Sequence, residues 1–429
     1  MTNITRRDFL KNVGAVGAVA SSGLLTSPLH ALNAGADKYP PSLVCIYLRG
    51  GADWLNMVIP YKDRDYFTVR PTLAIGEEQG VIKLDGKWGL HPALSAFQPL
   101  FQEKMLAPVV SVGSPHTTRS HFDAQDFMEF AAPGNRGVRT GWLNRYLDST
   151  VKKKGQSEFR AMAMQELLPR SLRGDFPVLA VPSGMDNKRG AATLKRFEEF
   201  YGAGGVGEMQ PAEADGKGEM PADEMGEREE DRSGVVHSGR VTIQTLRRYQ
   251  SIIAKSKPGV KYPEGRFAQR MQNIAKVLKS GEGLEVAGVD YNGWDHHASQ
   301  GALEGRQADM LRDLSSSIAA FCLDMGEQME NTTVVVMTEF GRTVKENGNN
   351  GTDHGHGGGA FVIGSGVKGG KVHGSWKGLK TEALYEGRDL PVTTDFRDLF
   401  HSILDGTFGY KPGKEFFPDY SSRKISGLF

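Results

Sequence analysis

Short apolar runs rich in β-branched residues alternate along this chain with longer segments whose apolar residues recur every three or four positions. The short runs are typical of buried strands and the longer segments of amphipathic helices. Strands are predicted at Leu43–Leu48, Pro108–Val112, Pro177–Val181, Glu285–Val289, Thr333–Met337 and Ala360–Ile363. Helices are predicted at Ala93–Lys104, His121–Ala131, Gly141–Lys152, Ala191–Tyr201, Val241–Lys255, Arg266–Lys279, Ala302–Met325 and Asp395–Leu404. This alternation predicts an α/β fold, with a mainly parallel central sheet flanked by helices and ligand loops at the carboxyl ends of strands.

The first residues follow a different pattern. Residues 5–11 contain the pair Arg6-Arg7, and an uncharged stretch rich in Ala, Gly and Val follows from residue 12 to about residue 25. A basic region before a short apolar region predicts a twin-arginine signal peptide over residues 1–36, cleaved after Ala31, Ala34 or Ala36. The apolar region is too short for a stable membrane span, which needs about 20 strongly apolar residues. We expect export by the twin-arginine machinery to the periplasm or beyond the cell.

Residues 37–429 are predicted to form a single domain of this α/β type, with one insertion. Residues 202–239 are rich in Gly, Glu, Asp and Met and nearly lack aromatic and β-branched residues, which predicts a disordered acidic segment. A solvated loop is the simpler interpretation of this segment, and a metal-concentrating role is the alternative. Acidic and basic residues nearly balance, 51 against 52, and no basic stripe with interleaved aromatics occurs, so no nucleic-acid partner is expected.

The cysteine content bears on redox function. Cys45 and Cys322 are the two cysteines, and both lie in apolar runs, which favours buried free thiols, although an oxidising compartment permits a bridge. The sequence contains no CxxC spacing, iron–sulfur pattern or dinucleotide fingerprint. An exported redox enzyme is therefore the weakest of three functional hypotheses.

The clearest candidate for chemistry is a glycine-rich loop at residues 351–359, directly before a predicted strand. It contains Asp353, His354 and His356, and two imidazoles with a carboxylate among glycines predict a metal loop. After the strand Glu285–Val289, Asp295 and His297 have a spacing that allows both to bind one cation from a loop. The neighbouring His296 is expected at the rim, because adjacent side chains point in different directions.

Other candidates admit a structural interpretation. Asp53, after the first strand, is either a metal ligand or part of an Asx turn. Glu339 and Arg342, after the strand Thr333–Met337, form either a buried salt pair or a metal carboxylate beside an anion-binding guanidinium. Ser120 precedes a predicted helix; with Asp123 it resembles a capping box, and its place at a helix N-terminus also suits a nucleophile attacking an anionic ester. Residues 393–398 are predicted to cap the last helix.

These motifs together resemble the bacterial family called domain of unknown function 1501. The matching segments are residues 49–53, 120–125, 293–295 with His297 and Gln300, 339–342, 351–355 and 394–397. The resemblance covers nearly the whole chain after the signal, apart from the acidic insertion. That family is similar to the alkaline phosphatase and sulfatase superfamily, whose members place two metals and a Ser, Thr or formylglycine nucleophile at the carboxyl edge of a parallel sheet.

The resemblance implies specific roles. Asp53 would bind a second metal and Ser120 would be the nucleophile, while Asp295 and His297 would bind the first metal with a histidine of the residue 353–356 loop. Glu339, followed by Phe340, stands where the superfamily usually has Asp-His. This is a departure from the pattern that would bind the second metal. The formylglycine precursor pattern has no counterpart, which disfavours sulfatase chemistry by that route.

The leading functional hypothesis is an exported metal-dependent hydrolase of phosphate or sulfate esters, acting on an anionic small molecule, an extracellular polymer or a lipid. One or two divalent ions, zinc or manganese, would be bound by Asp295, His297 and either His354 or His356. Arg342 would orient the non-reacting oxygens of the ester. The alternative is a catalytically degenerate member of the fold that acts as a periplasmic binding or assembly factor, an alternative motivated by Phe340.

Overall fold

The computed structural model describes residues 39–151, 159–185, 188–201 and 241–429. The predicted signal peptide and the predicted acidic insertion lie outside the described residues.

The described residues form eleven strands. In chain order they are β1 (Ser42–Arg49), β2 (Val58–Ile59), β3 (Ile82–Lys83), β4 (Gly89–Leu90), β5 (Leu106–Gly113), β6 (Ala161–Ala163), β7 (Leu179–Ala180), β8 (Val286–Asn292), β9 (Thr332–Met337), β10 (Gly358–Ile363) and β11 (Thr394–Asp395). Eight of them form the main sheet in the order β11-β5-β10-β9-β1-β8-β6-β7, and β2, β4 and β3 form a small second sheet. All six strands predicted from the sequence are therefore present.

The main sheet is mostly parallel. The central strand β1 pairs in parallel with β8 on one side and with β9 on the other, so that Leu43 lies opposite both Val286 and Thr333. β10 is antiparallel to both of its neighbours, β5 and β9. The predicted α/β class with a mainly parallel sheet is confirmed. Sequence patterns missed β6 and β11 because two or three residues are too few to show a period.

Helices cover both faces of the sheet. They are α1 (Arg64–Val69), α2 (Gln98–Gln102), α3 (His121–Glu129), α4 (Trp142–Ser149), α5 (Lys188–Tyr201), α6 (241–255), α7 (Arg266–Lys279), α8 (Arg306–Met325) and α9 (Phe396–Phe408). The predicted helix at residues 93–104 is divided into a 3-10 segment, Pro92–Phe97, and α2, with proline in the first turn of each. α8 begins four residues later than predicted, because Gly305 precedes it with a φ of +105°.

Alternating residues of β1 face two separate hydrophobic cores. Val44, Ile46 and Leu48 join the core that contains α6, α7 and α8. Leu43, Cys45 and Tyr47 join the core that contains α4 and α9. This is the two-residue period of a strand buried on both faces. Cys45 and Cys322 are both buried and free, as their apolar surroundings predict.

No described helix combines the length and the apolar character that a membrane span requires.

Candidate metal centre

Loops from five parts of the sequence converge at one edge of the main sheet. β1, β5, β8 and β9 end at this edge, and β10 begins there because it runs antiparallel to its neighbours. The loops that meet comprise residues 50–53, 114–120, 293–297, 338–343 and 352–357. Polar groups are thereby gathered where α/β folds place their ligands.

Four side chains at this edge, His121, Asp295, His297 and His354, form what we call the metal cluster. One ligand atom from each of His121, Asp295 and His354 lies within 4.8 Å of the others. His297 completes the group, since its Nε2 lies 2.9 Å from Asp295 Oδ1 and 2.9 Å from His354 Nε2. The Nε2 of His354 lies 3.2 Å from the same oxygen, and the Nε2 of His121 lies 3.4 Å from Asp295 Oδ2. Three imidazole nitrogens thus converge on one carboxylate.

The opposite nitrogen of each imidazole contacts an oxygen acceptor. The Nδ1 pairs are His121 with Glu339 Oε1 at 2.8 Å, His297 with Asp353 Oδ1 at 3.0 Å, and His354 with the Arg119 carbonyl at 2.8 Å. An acceptor at Nδ1 suits the tautomer of a neutral imidazole that carries its proton there and has its lone pair on Nε2. In that tautomer all three Nε2 lone pairs point toward Asp295.

This arrangement fits a divalent cation. Among the described residues, the buried Nε2 of His121 has no hydrogen-bond partner. The Nε2 atoms of His297 and His354 lie 2.9 Å apart, and with both rings protonated on Nδ1 their lone pairs would face each other, an arrangement that a cation would stabilise. Histidines that bind metals characteristically donate their other ring N–H to a carboxylate or a backbone carbonyl, and the Nδ1 contacts of all three rings fit this pattern. Three imidazoles and one carboxylate are donors that suit zinc and related transition metals.

Arg342 favours the ionised state of Asp295. Partial burial raises the pKa of Asp295, but the hydrogen bond and positive charge of Arg342 outweigh burial and lower this pKa to about 2. Arg342 Nη2 donates to Asp295 Oδ1 at 2.6 Å. The carboxylate at the centre of the cluster is therefore fixed in position and negatively charged at neutral pH.

A model of the family described as protein of unknown function (DUF1501) matches residues 105–415. The chain belongs to the DUF1501 family. No curated protein matches this chain. Among solved structures, the crystal structure of Ps i-CgsB has 10% sequence identity and a TM-score of 0.40 over 89% of this chain and 75% of that chain, a likeness too low to support an argument. The matched region of this DUF1501 protein contains the whole metal cluster.

Three of the four residues in the cluster are ones that the sequence of this DUF1501 protein predicts as metal ligands: Asp295, His297 and His354. The fourth, His121, was missed, because a histidine at the first position of a helix has no distinctive spacing. Two signals were available: it follows the proposed nucleophile directly, and it lies in the family-like segment 120–125. Burial lowers the pKa of His121, but the hydrogen bond and charge of Glu339 outweigh burial and leave this pKa raised.

Glu339 does not reach the cluster directly. Its carboxylate is fully buried and accepts hydrogen bonds from four donors, namely His121 Nδ1, Gln125 Nε2, the Gly50 amide and the Thr338 hydroxyl. Burial raises its pKa, but the hydrogen bonds from His121 and Gln125 outweigh burial, so the net pKa of Glu339 is lowered. Glu339 is placed to orient His121, and not to bind a metal as predicted.

Arg342 departs from both interpretations that the sequence allows. Its side chain is wholly buried and makes no salt pair with Glu339. Its other donors go to four backbone carbonyls, those of Gly50, Gly51, Trp294 and Thr352. In this arrangement Arg342 holds Asp295 and the loops around it, and the contact of Arg342 with ester oxygens stays a prediction.

The three candidate ligands in the glycine-rich loop occupy different positions. His354 belongs to the cluster, and Asp353 lies behind His297, where it also accepts a hydrogen bond from Asn347. His356 is buried away from the cluster and stacks on Tyr385 with ring centroids 4.2 Å apart. Of the two histidines between which the sequence leaves the choice open, His354 is therefore the one that lies in the cluster.

Asp53 is engaged elsewhere. Arg70 donates to both of its oxygens, at 2.6 and 2.9 Å, and Gln300 Nε2 donates to Oδ2 at 2.6 Å. Both members of the Asp53–Arg70 pair are buried. The structure does not bring Asp53 to the metal cluster, and it shows an internal ion pair where the sequence suggests a ligand or an Asx turn.

His296 is buried, contrary to the expected position at the rim. Neither ring nitrogen has a hydrogen-bond partner among the described residues. Burial is the largest influence on this imidazole and lowers its pKa to about 4, so the ring is neutral. Asp295 and His297 remain on the open side of the loop, with side chains that are 41% and 45% exposed.

Ser120 occupies the N-cap position of α3, directly before His121. Its hydroxyl makes no capping hydrogen bond, and Asp123 pairs with Arg136. The capping box that the sequence suggests is therefore not formed. Ser120 is exposed and lies at the positive end of a helix beside the cluster. The final predicted cap does form, since Asp395 accepts a hydrogen bond from the amide of Arg397.

Proposed function

We propose that this protein is an exported, metal-dependent hydrolase of phosphate or sulfate esters. The observation that carries the proposal is the metal cluster, in which three imidazoles have their Nδ1 atoms held by oxygen acceptors and their Nε2 atoms directed at Asp295. With each ring protonated on Nδ1, three lone pairs and a carboxylate would face one another, an arrangement that a cation would stabilise. Its ligands would be His121, Asp295, His297 and His354.

We assign one ion to the cluster. The other carboxylates nearby already receive internal hydrogen bonds or ion pairs: Asp53 from Arg70, Glu339 from His121, and Asp353 from His297. Phe340 also packs against the rings of His121 and His354, with centroids 4.9 and 5.1 Å away. Zinc or manganese suits the mixed donors, and when bound it would act as a Lewis acid toward an ester oxygen.

Ser120 is the proposed nucleophile. Its hydroxyl is exposed, free of a capping bond and adjacent in sequence to His121. The amide groups at the start of α3 favour negative charge nearby, which suits an anionic ester. Ser120 Oγ would form a bond to phosphorus or sulfur as the bond to the leaving alcohol breaks, and water would then release the anion from the serine.

The alkaline-phosphatase-like fold and the exported location belong to the same proposal. The alkaline-phosphatase-like fold is supported by a mostly parallel sheet with the cluster at its carboxyl edge. The exported location is supported by the pair Arg6-Arg7 ahead of an uncharged apolar stretch. An anionic polymer, lipid or small molecule outside the cytoplasm would be the substrate. The openness of the cluster, with Asp295 and His297 both exposed to solvent, suits an ester group on a large molecule.

The test is hydrolysis of aryl phosphates and aryl sulfates by the purified protein, after metal removal and after reconstitution with Zn²⁺ or Mn²⁺. We expect turnover only in the reconstituted protein, lost in Ser120→Ala and in Asp295→Ala. Ser183→Ala is the matched control, because Ser183 is an exposed serine outside the cluster. Metal binding with no turnover on any ester would favour the degenerate binding or assembly factor.

A further inference from the structure

The three imidazoles of the metal cluster are held by different means. His354 is held by a backbone carbonyl, and His297 by Asp353, whose side chain is half exposed. His121 is held by Glu339, whose carboxylate has no solvent exposure and accepts hydrogen bonds from four donors. The position of His121 therefore depends on what fixes Glu339.

A stripe along one face of α3 fixes Glu339. His121, Gln125 and Glu129 are spaced four residues apart, so their side chains lie on the same side of the helix. His121 contacts Glu339, Gln125 contacts Glu339, and Glu129 contacts Arg49 at the end of β1. This face of α3 thus joins the cluster to a buried network of charges beneath it.

Gln125 links the two parts through opposite ends of its amide. Its Nε2 donates to Glu339 Oε1 at 2.9 Å, and its Oε1 accepts from Arg49 Nη1 at 3.2 Å. Arg49 is in turn fixed by two bonds to Glu129 and one to Asp290, at 2.6, 3.1 and 2.8 Å. The guanidinium on one side and the carboxylate on the other allow only this orientation of the amide.

We propose that Gln125 is a positioning residue for the metal cluster, which holds Glu339 so that His121 presents its Nε2 to the bound ion. This inference rests on the proposed metal site. Gln125 contacts no atom of the ion, and acts through Glu339 and His121. An amide is the side chain required here, because one group must accept from Arg49 and donate to Glu339.

Two substitutions separate these requirements. Gln125→Met keeps the length and helix preference of the side chain and removes both hydrogen bonds. Gln125→Glu keeps an acceptor for Arg49 and removes the donor to Glu339, where it places two carboxylates in contact. Both changes free Glu339 Oε1 from one of its donors, and loss of such an outer contact typically weakens metal binding by about 10- to 100-fold.

The experiment is titration of the metal-free full chain with Co²⁺ against a competing chelator, with the visible bands of bound Co²⁺ recorded as a report of ligand geometry. We expect Gln125→Met and Gln125→Glu to bind about 10- to 100-fold more weakly and to shift or weaken these bands. The control is Gln269→Met, since Gln269 is an exposed residue of α7 whose side-chain amide donates to Gln272 and Asn273 of the same helix.

The outcomes distinguish this inference from the proposed function. Wild-type affinity and wild-type bands in both Gln125 variants would overturn the positioning role and leave the metal site standing. Absence of Co²⁺ binding by the wild-type protein would overturn the metal site, and the positioning role with it. Weak binding confined to the Gln125 variants, with Gln269→Met unchanged, would establish the role.

Discussion

Arg342 and Asp295 form an ion pair in which a wholly buried guanidinium holds a carboxylate that reaches the surface. Arg342 Nη2 donates to Asp295 Oδ1 at 2.6 Å, and the exposed fractions of the two side chains are 0% and 41%. The pair thus connects the interior of the sheet edge to the centre of the metal cluster. A charged residue that is buried in this way acts on the site through Asp295, without touching a substrate.

Arg342→Met should therefore destabilise the protein as well as weaken metal binding. The change leaves four buried carbonyls without this donor, and we expect the free energy of unfolding to fall by more than about 3 kcal/mol. Urea unfolding of the metal-free protein measures this. Arg312→Met is the control, because the exposed Arg312–Asp309 pair should contribute less than about 1 kcal/mol. Equal losses in the two variants would contradict the role assigned to Arg342.

Asp53→Asn should leave the metal content unchanged while it reduces stability. Arg70 would keep its buried charge without a carboxylate partner, which typically costs about 3–5 kcal/mol. Elemental analysis and urea unfolding of the same preparation separate the two effects. Two metal equivalents in the wild type, falling to one in Asp53→Asn, would instead show that Asp53 binds a second ion.

Ser120→Ala should abolish turnover without reducing stability. The Ser120 hydroxyl makes no capping bond, so we expect the free energy of unfolding to change by less than about 0.5 kcal/mol. Asp63→Ala is the matched comparison, because Asp63 does cap α1 and its loss should cost about 1 kcal/mol. If Ser120→Ala lowered the free energy of unfolding by about 1 kcal/mol and kept its turnover, Ser120 would be a structural cap and not the nucleophile.

Metal affinity should fall as the pH is lowered from about 7.5 to about 5.5. Each ligating imidazole must be neutral, so affinity falls by roughly tenfold per pH unit below the pKa of each imidazole that takes up a proton, a pKa near 6.5 for an unperturbed imidazole. Because the burial of His121 is outweighed by Glu339, which raises the pKa of His121, protons compete with the metal for His121 at a higher pH than they would for an unperturbed histidine. The carboxylate does not limit binding, because the pKa of Asp295 is lowered to about 2. Chelator competition at several pH values measures the slope. An affinity independent of pH would exclude histidine ligands.

The sheet could be predicted from the sequence because its strands are buried on both faces. The run of valines in β9 and the unbroken apolar run from Leu43 to Leu48 in β1 leave no polar face, and such runs stand out from the amphipathic helices around them. The position of the site followed from the same pattern, since Asp295, His297 and His354 lie beside the ends of predicted strands. Short elements such as β6 and α1 carry too few residues to show a period.

The roles of individual side chains could not be predicted, because they depend on contacts distant in sequence. Asp53 accepts hydrogen bonds from Arg70 and from Gln300, which is 247 residues away in the sequence. Glu339 turns toward His121, 218 residues away, and not toward the cluster's centre. Residue type and local spacing identify the polar groups at this edge. Which of them face inward is decided by buried donors elsewhere in the fold.

The most direct measurement is the metal content of the purified protein, determined by elemental analysis. We expect close to one equivalent of zinc or manganese, which the double variant Asp295→Ala/His297→Ala should lose. The control variant His401→Ala should keep the metal, because His401 lies outside the cluster and pairs with Ser422. No bound metal in the wild-type protein, even after reconstitution, would contradict the metal centre.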